Sequence, residues 1–416
     1  MTTVQRRLRS GRPLWLEHAG HRRRHPSLSG PHQASVAIVG GGMTGALIAH
    51  AFASAGISTI LIEASEFGRG STAASSALLL QEPDLELTEL TNRYGKRTAY
   101  RIWQMSRESV HALVRLLARL QIACDLKRRD AIYYATDERS VLRLREEYEM
   151  RLRSGFDARW LTPGALRRST GIVGRGAIRT HGSAQFDPYR ACLGVLRAAA
   201  TSGAQVFERS KVRRIVADRD RVRLWTDQGT VECERVVVAT GYATARFRPL
   251  AGRFRMYRTY VLATRRISEP ERRELGLSDV MVWDTERPYH YARWTHDHRL
   301  LLGGGDRLVR PALRRGQQFA AATEGLRAYF ETRMPALSDI ETEFAWEGLF
   351  AMTPDSLPYI GPHRRYPRQW FALGYGGNGM TFGFLAARLL LDRWQRRVTR
   401  DHALFEFGRT RNTERY

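Results

Sequence analysis

The residues whose spacing most clearly indicates chemistry are three glycines, Gly40, Gly42 and Gly45. In a G-x-G-x-x-G pattern the first glycine allows a tight turn, the second lets the backbone approach a pyrophosphate, and the third lets a helix and a strand pack closely. Glu63 follows at about the 20-residue spacing at which a carboxylate accepts hydrogen bonds from ribose hydroxyls. The pattern predicts a site for the phosphates and adenosine of a dinucleotide.

The segments around these glycines have the patterns of the elements that should position them. Residues 35–39 are largely apolar and β-branched, like a strand buried on both faces, and residues 58–62 resemble them. Between these segments a predicted helix carries an apolar side formed by Leu47, Ile48, Ala51 and Phe52. A glycine pattern alone fits an ordinary turn. The strands, the helix and the spaced acid favour a βαβ site whose helix N-terminus faces the phosphates.

Three further segments have the composition of backbone that lies against a ligand. Residues 70–77 carry only small or hydroxyl-bearing side chains, and the apolar strand predicted at 231–238 runs into Ala-Thr-Gly. Residues 374–381 form a second glycine-rich loop that opens onto a helix, so its N-terminus offers another site for an anion or a carbonyl. Residues 86–120, in contrast, show helical periodicity throughout and predict one long helical segment.

The composition is that of a globular protein with a substantial core. The 416 residues are 43% hydrophobic and 26% charged, and they include no apolar run of about 18 residues. Cys124, Cys192 and Cys233 are scattered, which indicates neither a disulfide framework nor a zinc site. We therefore expect two domains, no metal and a cytoplasmic location, with peripheral association at a membrane surface as the alternative.

The net charge is the unusual feature of the composition. Lysine and arginine number 67 against 42 acidic residues, which gives a net charge of +25. Such a surface could attract nucleic acid, anionic lipid or an acidic substrate. The arginines are dispersed rather than gathered in one motif, which favours a solvated basic surface, and we expect no specific binding of nucleic acid.

Together and in this order, the four motifs resemble those of the D-amino-acid oxidase superfamily of FAD-dependent oxidoreductases, which includes glycine oxidase and sarcosine oxidase. The resemblance extends from about residue 34 to about residue 396. Residues 70–85 and 373–381 resemble a little-characterised bacterial branch of that superfamily. The resemblance implies an α/β fold in which a Rossmann-like βαβ FAD-binding domain adjoins a second, antiparallel-sheet domain that binds the substrate.

The resemblance also implies that both domains are assembled from separated segments. The FAD-binding domain would combine residues 34–90, 155–250 and 340–400. The substrate-binding domain would combine residues 91–154 and 251–339. A basic N-terminal leader, residues 1–33, and a C-terminal tail, residues 401–416, would flank them.

Particular residues would contact a non-covalently bound FAD if the resemblance holds. The first glycine motif would face the pyrophosphate, Glu63 the adenosine ribose, the small-residue segment the ribityl chain and flavin, and the second glycine loop the pyrimidine end. The full set of predicted cofactor-binding residues is Gly40, Gly42, Met43, Thr44, Gly45, Glu63, Ser71, Thr72, Ala73, Ala74, Ser75, Ser76, Ala77, Val212, Ala239, Thr240, Gly241, Gly376, Gly377, Asn378, Gly379, Met380 and Thr381.

The function expected from the resemblance is hydride transfer from an amine, an amino acid or a related small acid to N5 of FAD. Tyr289, Tyr291 and Arg293 alternate along a predicted strand and so share one face. We expect them to hold a substrate carboxylate, with the arginine donating a bidentate pair. Two alternatives remain open, a nucleic-acid-associated flavoprotein that uses the basic surface and an NAD-dependent dehydrogenase.

Two departures from the superfamily pattern bear on the reaction. Some members attach flavin through a cysteine near a Thr-Pro-Asp segment, but no cysteine lies near residues 353–355. Oxidases of the superfamily often place a lysine against the flavin, but no lysine follows Lys211. We therefore expect a dehydrogenase that passes electrons to a quinone or a carrier protein rather than to oxygen. The arginines that could replace that lysine are Arg255, Arg258 and Arg293.

Overall fold

The structure, a computed structural model, describes residues 8–17, 24–243, 247–274, 278–309 and 315–409. Parts of the predicted leader and of the predicted tail therefore lie outside the described residues. Within these ranges the strands form a 10-stranded sheet and an 8-stranded sheet, with helices packed around them.

The strands of the described residues, in chain order, are β1 (Arg9–Gly11), β2 (Gly30–Val39), β3 (Thr59–Ile62), β4 (Leu78–Leu79), β5 (Lys127–Ala135), β6 (Arg159–Leu161), β7 (Gly176–Gln185), β8 (Gln205–Phe207), β9 (Arg214–Ala217), β10 (Val222–Trp225), β11 (Gly229–Gly241), β12 (Arg255–Thr264), β13 (Met281–Asp284), β14 (His290–Trp294), β15 (Leu300–Leu308), β16 (Thr342–Met352), β17 (Tyr359–His363) and β18 (Tyr366–Leu373).

The helices of the described residues are α1 (Leu14–Glu17), α2 (Met43–Ser54), α3 (Ser71–Ala74), α4 (Leu87–Tyr94), α5 (Lys96–Arg119), α6 (Glu138–Arg153), α7 (Pro163–Thr170), α8 (Pro188–Thr201), α9 (Arg248–Ala251), α10 (Glu269–Glu274), α11 (Arg315–Arg333), α12 (Gly379–Trp394) and α13 (Arg400–Ala403), with a 3₁₀ turn at Pro335–Leu337.

The smaller sheet forms around the βαβ unit that the first glycine motif predicts. Its order is β17-β18-β11-β2-β3-β8, and β18, β11, β2, β3 and β8 run parallel. Val36, Ala37 and Ile38 of β2 are fully buried, as a strand covered on both faces requires. The carboxyl ends of β2, β3 and β11 therefore meet at one edge, where ligands bind in open parallel sheets.

The larger sheet is mostly antiparallel and has the order β1-β16-β12-β15-β14-β13-β5-β7-β4, with β6 paired to β7. Its one parallel pair within the described residues is β13 with β5. β7 and β16 lie in segments predicted to belong to the FAD-binding domain, yet both pair within this sheet. β1, from the predicted leader, pairs with β16. The exact domain boundaries stay a prediction.

The long helical segment predicted over 86–120 is two helices, α4 and α5. They meet at Gly95, whose φ of +79° lies in the left-handed region that favours glycine.

A buried ion network supports the start of α4. The Glu147 carboxylate accepts hydrogen bonds from the backbone N–H groups of Leu87 at 3.0 Å and Thr88 at 2.9 Å. Arg151 lies between Glu147, at 2.8 Å, and Glu82, at 3.1 Å.

Candidate active site

A cavity of about 950 Å³ lies between the two sheets and is lined by residues of both. The smaller sheet contributes the first glycine loop and the end of β11. The larger sheet contributes residues of β12, β14, β15 and β16. Residues within 70–84 and 210–215 and the glycine loop before α12 also line it. The four motifs that are far apart in sequence therefore meet around one space.

The first glycine loop has the geometry that a phosphate cradle requires. Gly40 has a φ of +115°. A Cβ on Gly45 would lie 1.8 Å from the carbonyl oxygen of Gly40, so only glycine permits this packing of α2 on the loop. A Cβ on Gly42 would meet one protein atom, Thr72 Oγ1, at 3.1 Å. Gly42 is the N-cap of α2 and lines the cavity, which leaves room for a ligand at the helix N-terminus.

Glu63 lies at the end of β3 beside this loop and lines the cavity. Its carboxylate accepts hydrogen bonds from the backbone N–H groups of Gly41 at 2.7 Å and Ser65 at 2.8 Å. Burial raises the pKa of Glu63, and these two N–H donors oppose the shift. The carboxylate is thus held in place at the position where the sequence predicts the adenosine ribose.

Most of the predicted cofactor residues line the cavity, although contact with a cofactor stays a prediction. Two do not line it. Gly45 packs against Gly40 behind the loop, and Ala73 is fully buried in a cluster with Trp15 and Tyr189. The residues that line it are Gly40, Gly42, Met43, Thr44, Glu63, Ser71, Thr72, Ala74, Ser75, Ser76, Ala77, Val212, Ala239, Thr240, Gly241, Gly376, Gly377, Asn378, Gly379, Met380 and Thr381.

Arg293 is placed differently from its predicted role as a carboxylate clamp. Its guanidinium donates to three backbone carbonyl oxygens, those of Ser76 at 2.5 Å, Phe186 at 2.9 Å and Trp294 at 3.1 Å. Burial lowers the pKa of Arg293 to about 9. Its donors are directed to the backbone behind the small-residue segment, so we correct the prediction: Arg293 positions this segment and does not reach into the cavity.

Tyr289 and Tyr291 do line the cavity, as their alternation along one strand face predicts. Tyr289 Oη lies against the second glycine loop, where it would be 2.3 Å from a Cβ on Gly377. The Tyr291 hydroxyl is 3.4 Å from Thr259 Oγ1. Burial raises the pKa of both phenols, to about 12 for Tyr291, so both are neutral hydrogen-bonding groups at pH 7.

The sequence analysis missed two carboxylates that line the same compartment, Asp84 and Asp306. Asp84 accepts hydrogen bonds from the Gly377 N–H at 2.7 Å and from Asn378 Nδ2 at 2.9 Å. Asp306 Oδ1 is buried and has no hydrogen-bond partner among the described residues. Burial raises the pKa of Asp84 to about 6 and that of Asp306 to about 7. The sequence does offer a signal for Asp306, which is an isolated acidic residue directly after three glycines in a basic chain.

The charge of the lining is acidic. Apart from Asp84 and Asp306, the acids are Glu63, Glu66 and Glu82, and Lys211 is the basic residue found among the lining residues that the structure describes. Arg258, a predicted substitute for the missing lysine, pairs with Glu347 at 2.6 Å. Arg255, another substitute, is exposed on β12. Neither belongs to the described lining.

Comparison with protein families gives the identity of this arrangement. The model of the family described as "DAO: FAD dependent oxidoreductase" matches residues 35–393. The chain belongs to this family. The matched residues include the cavity-lining motifs from both sheets. The cavity also brings the glycine loop of Gly40 and Gly42 together with the Glu63 carboxylate, an arrangement that suits FAD. The predicted resemblance, the fold class and FAD as the cofactor are therefore confirmed, and neither alternative function is supported.

Individual members of the DAO family resemble the chain over most of its length. Gamma-glutamylputrescine oxidoreductase of Escherichia coli (strain K12) is 29% identical over 86% of this chain and 82% of that protein. Glycine oxidase of Bacillus subtilis (strain 168) is 24% identical over 85% and 91%. The crystal structure of glycine oxidase from Geobacillus kaustophilus superposes with a TM-score of 0.77 at 25% identity, covering 90% of this chain and 98% of that one.

Two other findings concern membrane-spanning helices and metal sites. In the part of the chain that the structure describes, no helix is both long and apolar enough to cross a membrane. Nor do the described residues bring three histidine, cysteine or acidic side chains together as a metal site. The expectations about location, electron acceptor and nucleic acid stay predictions.

Proposed function

We propose that this DAO-family enzyme oxidises the carbon–nitrogen bond of a small amine or amino acid, with FAD held non-covalently in the cavity. The observation that carries the proposal is the cavity itself, which joins the dinucleotide cradle of Gly40, Gly42 and Glu63 to a compartment walled by Tyr289 and Tyr291. The names of the relatives, gamma-glutamylputrescine oxidoreductase and glycine oxidase, support a nitrogen-containing donor.

The cofactor supplies the redox chemistry by accepting a hydride when it is bound. The residues of the chain hold and orient the reactants. Gly42 and the N-terminus of α2 are placed to bind the pyrophosphate. The aromatic walls shield the substrate compartment from water, and neutral Tyr289 and Tyr291 offer hydroxyl groups for orientation. Cys124, Cys192 and Cys233 are all buried and none lines the cavity, which supports non-covalent attachment.

We further propose that the enzyme is a dehydrogenase rather than an oxidase. Reaction of reduced flavin with oxygen begins by forming superoxide, an anion, so a nearby cation favours the reaction and nearby carboxylates oppose it. The compartment walled by Tyr289 and Tyr291 contains Asp84 and Asp306. Lys211 instead follows Ser210, whose backbone N–H donates to the carbonyl oxygen of Glu63, at the predicted adenosine end. This balance of charge supports a quinone or a carrier protein as the acceptor.

The test begins with the purified protein, which should be yellow and should release intact FAD when it is denatured. Amines, amino acids and hydroxy acids would then be added under anaerobic conditions. The nitrogen compounds should bleach the absorption of the oxidised flavin. Protein that cannot be loaded with FAD, or that only hydroxy acids reduce, would refute the proposal. Stopped-flow mixing of the reduced enzyme should show faster reoxidation by a quinone than by air-saturated buffer, and the opposite order would make it an oxidase.

A further inference from the structure

Asp306 has an unmet hydrogen-bonding capacity inside the active-site cavity. Its Oδ1 atom is buried without a hydrogen-bond partner among the described residues, while the residue lines the cavity between the two sheets. A buried carboxylate oxygen without a partner is costly, and such groups in native structures usually await a ligand, an ion or a water molecule. The position of Asp306 therefore points to a donor group on the substrate.

The surroundings of Asp306 suit a positively charged group. Trp283, Tyr289 and Tyr291 also line the compartment, and the faces of such rings attract ammonium groups. The ring centroids of Tyr289 and Tyr291 lie 6.0 Å apart, and those of Trp283 and Tyr289 lie 6.3 Å apart. Asp84 lines the same cavity and raises the pKa of Asp306 further. A substrate carboxylate in this compartment would face repulsion from both.

We propose that Asp306 binds the protonated nitrogen of the substrate, and that the enzyme selects amines without a carboxylate on the reacting carbon over α-amino acids. This inference rests on the proposed function and narrows its substrate class. With Arg293 bound to backbone carbonyls and Arg258 paired with Glu347, the described part of the cavity offers no arginine for an α-carboxylate.

Proton transfer at Asp306 is consistent with this selection. The N–H bond of the bound ammonium breaks and an O–H bond forms at Asp306 Oδ1, while the electron pair stays on nitrogen. The neutral amine can then lose its α-hydrogen as hydride. Asp84, His290 and the Thr259 hydroxyl act on this titration. The charge of Asp306 acts in turn on the phenols of Tyr260, Tyr289 and Tyr291. Arg258 and exposed Arg307 act on Tyr260 from the same sheet.

The binding test uses the FAD-loaded enzyme and three molecules of nearly the same shape. tert-Butylammonium is a cation with no α-hydrogen and so cannot be oxidised, tert-butanol is its neutral counterpart, and pivalate is its anionic counterpart. Calorimetry should show that the cation binds more tightly than pivalate. Asp306→Asn should weaken binding of the cation about tenfold or more, as expected for loss of a charge-assisted hydrogen bond, and should leave binding of tert-butanol unchanged.

Two variants and a pH series separate recognition from a structural effect. Asp306→Glu should restore part of the affinity, and Asp220→Asn, at a side chain 81% exposed, should change nothing. Primary amines stay protonated well above pH 8. Affinity for tert-butylammonium should therefore fall as the pH is lowered through about 7 in the parent enzyme and should not change in Asp306→Asn.

A substrate comparison completes the test. In anaerobic reduction, benzylamine should reduce the flavin more efficiently than phenylglycine, and butylamine more efficiently than 2-aminopentanoate. The inference is overturned if pivalate binds as tightly as the cation, if the α-amino acids are better donors, or if Asp306→Asn keeps full affinity while retaining FAD. If tert-butylammonium binds through Asp306 but no nitrogen compound reduces the flavin, the proposed function fails instead.

Discussion

At the scale of single residues, Asp306 should lower the stability of the protein as the pH rises. Burial raises the pKa of this carboxyl from 3.8 to about 7. Between these values the folded state holds a proton that the unfolded state has lost, so the free energy of unfolding falls with rising pH and levels off above about 7. A shift from 3.8 to about 7 corresponds to about 4 kcal/mol. Asp306→Asn removes this loss of stability, because the asparagine side chain does not ionise.

The expected result is that Asp306→Asn melts at a higher temperature than the parent protein at pH 8. The difference should be smaller at pH 5.5, where much of the native Asp306 is already protonated. Asp220→Asn is the matched control, because it removes a carboxylate that is largely exposed. An equal difference at both pH values would show that Asp306 has an ordinary pKa.

A second residue-scale prediction separates the two roles of glycine in the first motif. Gly42→Val should give a folded protein that has lost FAD, because a side chain there meets little protein and occupies ligand space. Gly45→Val should instead prevent native folding, since even its Cβ would overlap the carbonyl oxygen of Gly40. Circular dichroism and the FAD content of each variant would check this. Retention of FAD by Gly42→Val would place the pyrophosphate elsewhere.

The limits of sequence reasoning at this scale follow from what surrounds each side chain. Alternation correctly places Tyr289 and Tyr291 on a cavity-lining face. It cannot show that Arg293 meets the carbonyl oxygens of Ser76 and Phe186, because those residues are brought there by chain segments more than 100 residues away. Asp306 escapes notice for the same reason, since its surroundings come from β12, β14 and the loop around Asp84.

At the scale of elements, the Arg151 network should be essential for the packing of α6 on α4. The Arg151 side chain is 1% exposed and lies between Glu147 and Glu82. Removing one member of a buried ion network leaves charge unpaired, which costs about 3–5 kcal/mol. Arg151→Met should destabilise the protein by that amount in denaturant unfolding.

Arg153→Met on the same helix is the matched control for this prediction. Arg153 pairs with Glu149 at 3.1 Å, but its side chain is 67% exposed, and surface pairs of this kind contribute about 0–1 kcal/mol. Similar losses in the two variants would mean that Arg151 acts mainly through helix propensity or packing rather than through charge.

The elements predicted best are those whose signals are local. The βαβ unit and α12 are evident from apolar periodicity and glycine loops within short windows. The pairing of β7 and β16 with the larger sheet could not be predicted, because strand partners far apart in sequence leave no local signal. Gly95 itself is a sequence signal for the break between α4 and α5. The helical spacing of apolar residues continues on both sides of it, however, and so predicts one uninterrupted helix.

At the scale of the whole molecule, the N-terminal segment should respond to the cofactor. Leu8 lines the cavity, the Arg9 guanidinium donates to the Arg69 carbonyl at 2.7 Å, and Trp15 Nε1 donates to the Ser75 carbonyl at 2.8 Å. A ligand that binds only the ordered form of these segments stabilises that form. Trypsin should therefore cleave after Arg9 more slowly in FAD-loaded protein than in protein stripped of FAD.

Cleavage at Arg219, in a surface turn away from the cavity, is the internal control for this comparison. It should proceed at the same rate in both forms, and mass spectrometry would follow all the sites in one sample. If FAD protects Arg219 as strongly as Arg9, the protection reflects global stability. If it protects neither, the N-terminal segment is independent of the cofactor.

The pairing of β1 with β16 also has a consequence for how the molecule is made. Ser10 and Glu347, whose side chains are 2.7 Å apart, are separated by 337 positions in the sequence. Translation proceeds from the N-terminus, so β1 leaves the ribosome long before the strand beside which it must lie. One wall of the cavity can therefore close only near the end of synthesis. Until then Leu14 and Trp15 of α1 cannot pack against Trp346, and we expect chaperones to bind this exposed apolar surface.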